Sequence, residues 1–152
     1  MTYLISACLL GCPCRYDGKS KPIPEKIRAL LESDTLLPVC PECMGGLSTP
    51  RPPAEIVGGR VINREGRDVS AEYERGAREV LRLARLYRAD GVILRDRSPS
   101  CSTCGIYDGS FTATLCDGMG ITAALLESEG IRILDERGEA PSSKSKKIGD
   151  RA

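Results

Sequence analysis

Histidine is absent from all 152 residues. That excludes His-based general bases, Ser/His and Cys/His dyads, and every metal site built on imidazole. Tryptophan is also absent and aromatic residues make up only 4% of the chain, so the core must be aliphatic. No apolar run reaches the roughly 18–20 residues that cross a bilayer. The opening MTYLISACLLG is apolar, but it has no basic segment before it and no obvious cleavage site. It reads as a first strand rather than an export signal. A charge imbalance is missing too: 22 Lys and Arg against 21 Asp and Glu leave a net charge of +1. Nothing global therefore pulls the chain towards nucleic acid or a membrane surface. The basic run SSKSKK near the end reads as a solvated tail. The expectation is a cytoplasmic protein that binds neither nucleic acid nor membrane. Composition and periodicity specify no oligomeric state.

What is present is a chain of ordinary single-domain length, 41% hydrophobic, long enough to bury a real core. It carries eight cysteines: Cys8, Cys12, Cys14, Cys40, Cys43, Cys101, Cys104 and Cys116. Without an export signal, clustered cysteines point to metal or redox chemistry rather than a disulfide framework.

The hydrophobic pattern alternates strands with helices. Residues 3–8, 35–40, 91–95 and 131–134 read as short buried strands, with Pro38 inside the second. Residues 24–33 read as a helix with Pro24 at its first position. Residues 69–89 are the clearest helix: Tyr73, Ala77, Val80, Ala84 and Tyr87 recur at spacings of three or four. Asp68 or Ser70 is its expected cap and Gly91 its expected end. A shorter helix over 120–129 has Asp117 as expected cap and Gly130 as terminator. Residues 56–63 suggest a hairpin through Gly58–Gly59. The Pro- and Gly-rich stretch 41–55 is expected to be irregular, as is the loop after residue 95. The whole reads as an α/β chain: one three-layer Rossmann-like domain with a mostly parallel sheet over residues 1–135, then a polar, disordered tail over 136–152.

In such folds ligands bind outside the carboxyl ends of the strands. Cys8, Cys40 and Cys101 fall at or after three expected strand ends, so three loops from one sheet edge can bring three thiols together. Two other readings compete. Cys40-Pro-Glu-Cys43 and Cys101-Ser-Thr-Cys104 are both C-x-x-C, a spacing that suggests a structural four-cysteine zinc site. Cys40–Cys43 also fits a dithiol redox pair, although that chemistry wants a helix after the first cysteine. Cys116 reads as a buried small hydrophobe. For Cys12, Cys43 and Cys104, burial and ligation stand level.

Three long segments then carry a resemblance. They are SACLLGCPCRYDGKSK (6–21), LPVCPECMGGLSTPRPPAEI (37–56) and LRDRSPSCSTCGIYDGSF (94–111). Together they resemble the family labelled domain of unknown function 523 (DUF523), which includes thiouracil desulfidases, over residues 3–134. The resemblance implies a [4Fe-4S] cluster held by three cysteines, with the fourth iron free. The matching positions are Cys8, Cys40 and Cys101. Cys14 of CRYDG also matches, as a pocket residue or alternative ligand. The implied chemistry is non-redox desulfuration of a small thio-compound such as 2-thiouracil. Sulfur binds the open iron, water attacks the carbon, and hydrogensulfide leaves.

With no histidine, proton handling falls to a carboxylate or hydroxyl. Glu42 is the acid/base candidate; its bland alternative is a loop carboxylate bonding local N–H groups. The resemblance points to Ser98 as an orienter of substrate or water, with Ser100 as fallback; a turn hydroxyl before Pro99 is the bland alternative. Asp17 reads as a turn residue beside Gly18 more than a catalytic one. The chain departs from the family pattern in its extra thiols Cys12, Cys43 and Cys104, and in the Ser-Thr-Cys-Gly that follows Cys101. A thiol beside the three implied ligands is able to occupy the fourth iron.

Overall fold

The computed structural model describes residues 1–141. Four parallel strands form the central sheet in the order β2-β1-β5-β8: β1 (Thr2–Ser6), β2 (Thr35–Val39), β5 (Gly91–Ile93) and β8 (Ile133–Leu134). The central strands β1 and β5 are buried on both faces, so they read as apolar runs without alternation. Tyr3 and Ile5 point to one side and pack with Ile27 of helix α1 (Glu25–Ser33). Leu4 and Val92 point to the other. There they pack with Val80 and Ala84 of helix α3 (Ser70–Leu86) and with Ala123 and Leu126 of helix α4 (Ile121–Ser128). The result is the expected three-layer α/β architecture. Among the described residues, no helix is long and apolar enough to cross a membrane.

The chain leaves β1 towards β2 and later returns past β1 to β5. The sheet therefore switches direction between β1 and β5, and a crevice opens at the carboxyl ends of these strands. Pro38 is accommodated because β2 lies at the sheet edge, where a missing N–H costs little. Hairpin β3 (Ala54–Val57) and β4 (Arg60–Asn63) turns through Gly58 and Gly59, both with left-handed φ.

Several local expectations are corrected. β1 ends at Ser6, and Cys8 sits on the following 3-10 turn (Ala7–Leu10). The stretch 41–55 is not wholly irregular: Pro41–Met44 form a one-turn helix, α2, and β3 begins at Ala54. Pro24 stands just before α1 rather than within its first turn. Gly91 does not end α3. The helix stops at Leu86, Arg88 turns the chain at φ 50°, and Gly91 opens β5 against the Tyr3 ring and the Arg132 carbonyl, where a Cβ would be tight. Asp117 does not cap α4; it lies in β7 (Leu115–Asp117), which pairs with β6 (Gly105–Tyr107) inside the supposed loop. Gly130 does follow the helix end, at φ 75°. Of the expected tail, Asp135–Glu139 form a turn closed by the Asp135 side chain, and residues 142–152 lie outside the described residues.

Candidate active site

The crevice is a cavity of about 850 Å³ whose wall includes Cys8, Cys14, Cys40 and Cys101. Each of the three principal thiols arrives by a different device. The 3-10 turn after β1 carries Cys8. Cys40 is the residue between β2 and α2. α2 is seated on α3 by close backbone approach: a Cβ on Gly76 would come within 1.8 Å of the Pro41 carbonyl oxygen, and one on Gly45 within 1.9 Å of that of Glu72. Cys101 stands on the loop after β5, clamped against the start of α4. There the amides of Thr122 and Ala123 donate to the Ser100 carbonyl, and Gly120 donates to that of Ser102.

Burial pushes the Cys8 thiol up, and the Arg95 side chain beside it pulls back. Burial pushes Cys101 up to about 12, opposed by the Ser6 hydroxyl. A hydrogen bond with Cys14, then burial, raises Cys40, while the same contact lowers Cys14. A one-turn helix does follow Cys40, but a redox nucleophile wants a depressed thiol, and here Cys40 is driven the other way.

Glu42, on α2, lies beside the thiols and is only 14% exposed at its side chain. Its carboxylate accepts a 2.7 Å bond from Arg51 Nε, and its Oε1 stands 3.5 Å from the Ser98 hydroxyl. Tyr73, buried on α3, presents its hydroxyl to the same carboxylate; burial first and the Glu42 charge second push that phenol up. Among the described residues, the partners of the Glu42 carboxylate are thus the side chains of Arg51, Ser98 and Tyr73. Arg51 also donates to the Cys14 carbonyl at 2.9 Å, the Ser48 carbonyl at 3.2 Å and the Thr49 hydroxyl at 3.0 Å, so one guanidinium joins three segments around the cavity. Burial opposes its charge, but the Glu42 carboxylate more than restores it. Ser98 combines two roles. Its Oγ accepts from the Ser100 and Cys101 amides at 3.1 and 3.0 Å, fixing the loop that carries Cys101, and it faces Glu42.

Other expected positions fall outside the cavity. Ser100 is fully buried and paired with Thr122 at 2.7 Å, so it is a brace under the Cys101 loop. Asp17 accepts from the Lys19 amide in a surface turn closed by Gly18. Cys104 is exposed just before β6. Cys43 is exposed on α2, within 3.5 Å of the Thr49 hydroxyl and within hydrogen-bonding reach of the Cys40 thiol. The four-cysteine zinc arrangement is therefore not assembled: Cys43 stays within hydrogen-bonding reach of the Cys40 thiol but off the cavity wall, and Cys104 is exposed. Among the described residues no group of three or more Cys, Asp or Glu is arranged to hold a single metal ion. A four-iron cluster makes a different demand, since its thiolates bind separate irons and stand apart. Thiols from separate segments on one wall, Cys8, Cys40 and Cys101 with Cys14 beside them, and no imidazole, suit that soft, sulfur-rich group. Arg15, Arg51 and Arg95 on the same wall supply positive charge against the thiolates.

Sequence reasoning missed Arg51, Arg95 and Tyr73. Arg51 lies in one of the quoted motifs, between two prolines, where an arginine reads as solvated. Only the folded path of residues 48–53 turns it inward.

Residues 3–138 match the model of a family described as 2-thiouracil desulfurase. The uncharacterized protein YbbK of Bacillus subtilis (strain 168) is 42% identical over 143 residues, covering 88% of this chain and 94% of that protein. The solved structure of the [4Fe-4S]-dependent thiouracil desulfidase TudS superposes with a TM-score of 0.84 at 43% identity, over 89% of this chain and 90% of that one.

Proposed function

The chain belongs to the 2-thiouracil desulfurase family, and from that premise we propose that it is a [4Fe-4S]-dependent desulfidase acting on a small thiocarbonyl compound such as 2-thiouracil. The observation that carries the reading is one cavity wall holding Cys8, Cys40 and Cys101 beside Glu42. In this reading the three thiols hold the cluster. The cluster, when bound, supplies an open iron that polarises a carbon–sulfur bond as a Lewis acid.

The chain's own residues do the rest. Glu42 holds a water against the substrate carbon and takes its proton on a carboxylate oxygen. Arg51 fixes the carboxylate through its Oε2, which leaves Oε1 for that work on the side facing Ser98. Ser98 orients the water or the substrate through its hydroxyl. Tyr73 closes the back of the carboxylate and keeps bulk water from it. Both substrate recognition and proton transfer then run without an imidazole.

The test is hydrogensulfide release from 2-thiouracil by anaerobically reconstituted protein. Glu42→Gln keeps the cluster absorption and loses about 10²–10⁴-fold in rate. A variant as fast as the parent chain contradicts the role of Glu42. A parent chain with an intact cluster and no hydrogensulfide from any thiouracil contradicts the activity.

A further inference from the structure

The chain has few aromatic residues, five Tyr and one Phe. Four of them, Tyr16, Tyr73, Tyr107 and Phe111, line the cavity that holds the thiols. A chain that builds its core from aliphatic side chains thus places most of its rings here. Tyr73 is buried on α3 and turns its hydroxyl to Glu42, and Tyr16 is exposed. Tyr107 and Phe111 are half-buried, yet they pack with none of the hydrophobic clusters of the described core. Rings that the core does not use, on the wall of a cavity with a few polar groups, are contact area for a flat ligand.

Both rings come from the β6–β7 hairpin, and its tip is held firmly. Tyr107 ends β6 opposite Leu115. Beyond it, Phe111 stands at φ 58° and Ala113 at φ 57°, a left-handed backbone that a bulky residue seldom adopts. Glu55 of β3 fixes the tip from outside. Its buried carboxylate accepts from the Gly109 amide at 3.0 Å and the Phe111 amide at 3.2 Å, both at Oε1. Gly109 lies so close against β3 that a Cβ would come within 2.7 Å of the Ile56 carbonyl oxygen. From inside, Asp108 accepts from the Ser110 amide at 2.9 Å. A turn that only joined two short strands would need neither a buried carboxylate nor a left-handed phenylalanine. Such strain persists at functional sites, where the surroundings hold a side chain in place.

We propose that Phe111, with Tyr107 beside it, is the ring-recognition face of the cavity. It stacks on the flat, unsaturated ring of the substrate, and Glu55 is the positioning residue that aims it through the Phe111 amide. The substrate class is then a thiocarbonyl set in a planar heterocycle, with puckered and open-chain thiocarbonyls disfavoured. The proposal rests on the desulfidase reading above. Stacking uses the face of the ring, so it selects ring shape and leaves the thiocarbonyl at the ring edge free for the chemistry.

The experiment compares flat and puckered rings that share one polar edge, on anaerobically reconstituted protein. Calorimetry measures binding of uracil and of 5,6-dihydrouracil. Hydrogensulfide release gives KM and kcat for 2-thiouracil and for 5,6-dihydro-2-thiouracil. The parent is expected to favour the flat ring by at least about fivefold in both comparisons. Phe111→Leu keeps apolar bulk without the π face. It should abolish most of that preference and raise KM for 2-thiouracil about 5–150-fold, with kcat within about twofold. Phe111→Tyr should restore the parent's behaviour. Glu55→Ala should lose the preference as Phe111→Leu does, whereas Glu55→Gln, which retains an acceptor oxygen, should keep it. A purely structural role would lower kcat or cluster content and leave the flat-to-puckered ratio unchanged. A parent that binds neither ring, a parent without the preference, or a Phe111→Leu variant that keeps the parent's ratio overturns the stacking face. Hydrogensulfide release from 2-thiouracil in those cases leaves the desulfidase reading standing. A parent that favours uracil through Phe111 and releases no hydrogensulfide overturns the desulfidase reading alone. Should Glu55→Ala fail to fold, Phe111→Leu and Phe111→Tyr carry the comparison.

Discussion

The two C-x-x-C motifs are identical in spacing and alike in outcome, yet they reach it by different structures. Cys40-Pro-Glu-Cys43 is a strand end followed by a helical turn, and its second cysteine is an exposed residue of that turn. Cys101-Ser-Thr-Cys104 is an irregular loop nailed to the start of α4, and its second cysteine is exposed just before β6. In both, the first cysteine lines the cavity and the second does not. The spacing therefore does not identify a four-thiol site. What matters is which end of each motif the sheet edge holds, and in both it is the first.

The largest effect that sharpens this comparison comes from splitting each pair. Cys40→Ser and Cys101→Ser should each lose the cluster and with it at least about 99% of hydrogensulfide release, whereas Cys43→Ser and Cys104→Ser should keep iron, sulfide and rate within about twofold. Equal losses from all four would revive the zinc arrangement.

The seats beneath the two motifs come next. Gly76→Ala drives a Cβ onto the Pro41 carbonyl oxygen, and Gly120→Ala drives one to 2.3 Å from the Ser100 carbonyl carbon. Both contacts are backbone on backbone and cannot be relieved by a rotamer change. Each substitution should cost about 1–3 kcal/mol, read from denaturant midpoints, and should impair cluster retention. A neutral result at either position would mean that the seat is softer than its geometry implies.

A smaller effect separates support from chemistry. Ser100→Ala removes one partner of the buried Ser100–Thr122 pair, leaving the other hydroxyl unsatisfied at a cost of about 1–3 kcal/mol. Thermal midpoint should fall, while the rate per intact cluster at low temperature stays near that of the parent. A large rate loss with an intact cluster would return Ser100 to the catalytic candidates.

The smallest is a pH effect outside both motifs. Burial opposes the Asp135 charge, but Arg137 and the amides of Arg137 and Glu139 overcome it and hold its pKa below the ordinary carboxylate value. A depressed folded pKa contributes stability above the unfolded value of about 3.9 and loses it as pH falls through the folded value. Asp135→Asn should therefore lower stability at neutral pH, and the gap to the parent should close in acid. A gap independent of pH would assign the loss to packing.

The fold was largely legible because its strands are short apolar runs and α3 has a clean helical period. The misses share a cause. Gly105–Tyr107 and Leu115–Asp117 are strands of three residues, too short for any period to appear. Gly91 looked like punctuation and Gly120 like the first residue of a helix, but each is required by a neighbour's backbone or ring, which only tertiary packing reveals. At the site, the strand-end argument and the family resemblance selected the same three cysteines. Glu42 and Ser98 came from the motifs. Arg51 did not, because its partners, Glu42 and the Cys14 carbonyl, lie at separations of nine and 37 residues. A guanidinium's role at such distances is set by the path of the loop, not by its neighbours in sequence.

Cys8 separates the readings most sharply, since it belongs to neither C-x-x-C motif and yet lines the cavity. The direct measurement is iron and acid-labile sulfide per chain after anaerobic reconstitution of the parent and Cys8→Ser. The account predicts about four of each in the parent and loss of both in the variant. Stoichiometric zinc without sulfide, unchanged by Cys8→Ser, would contradict it.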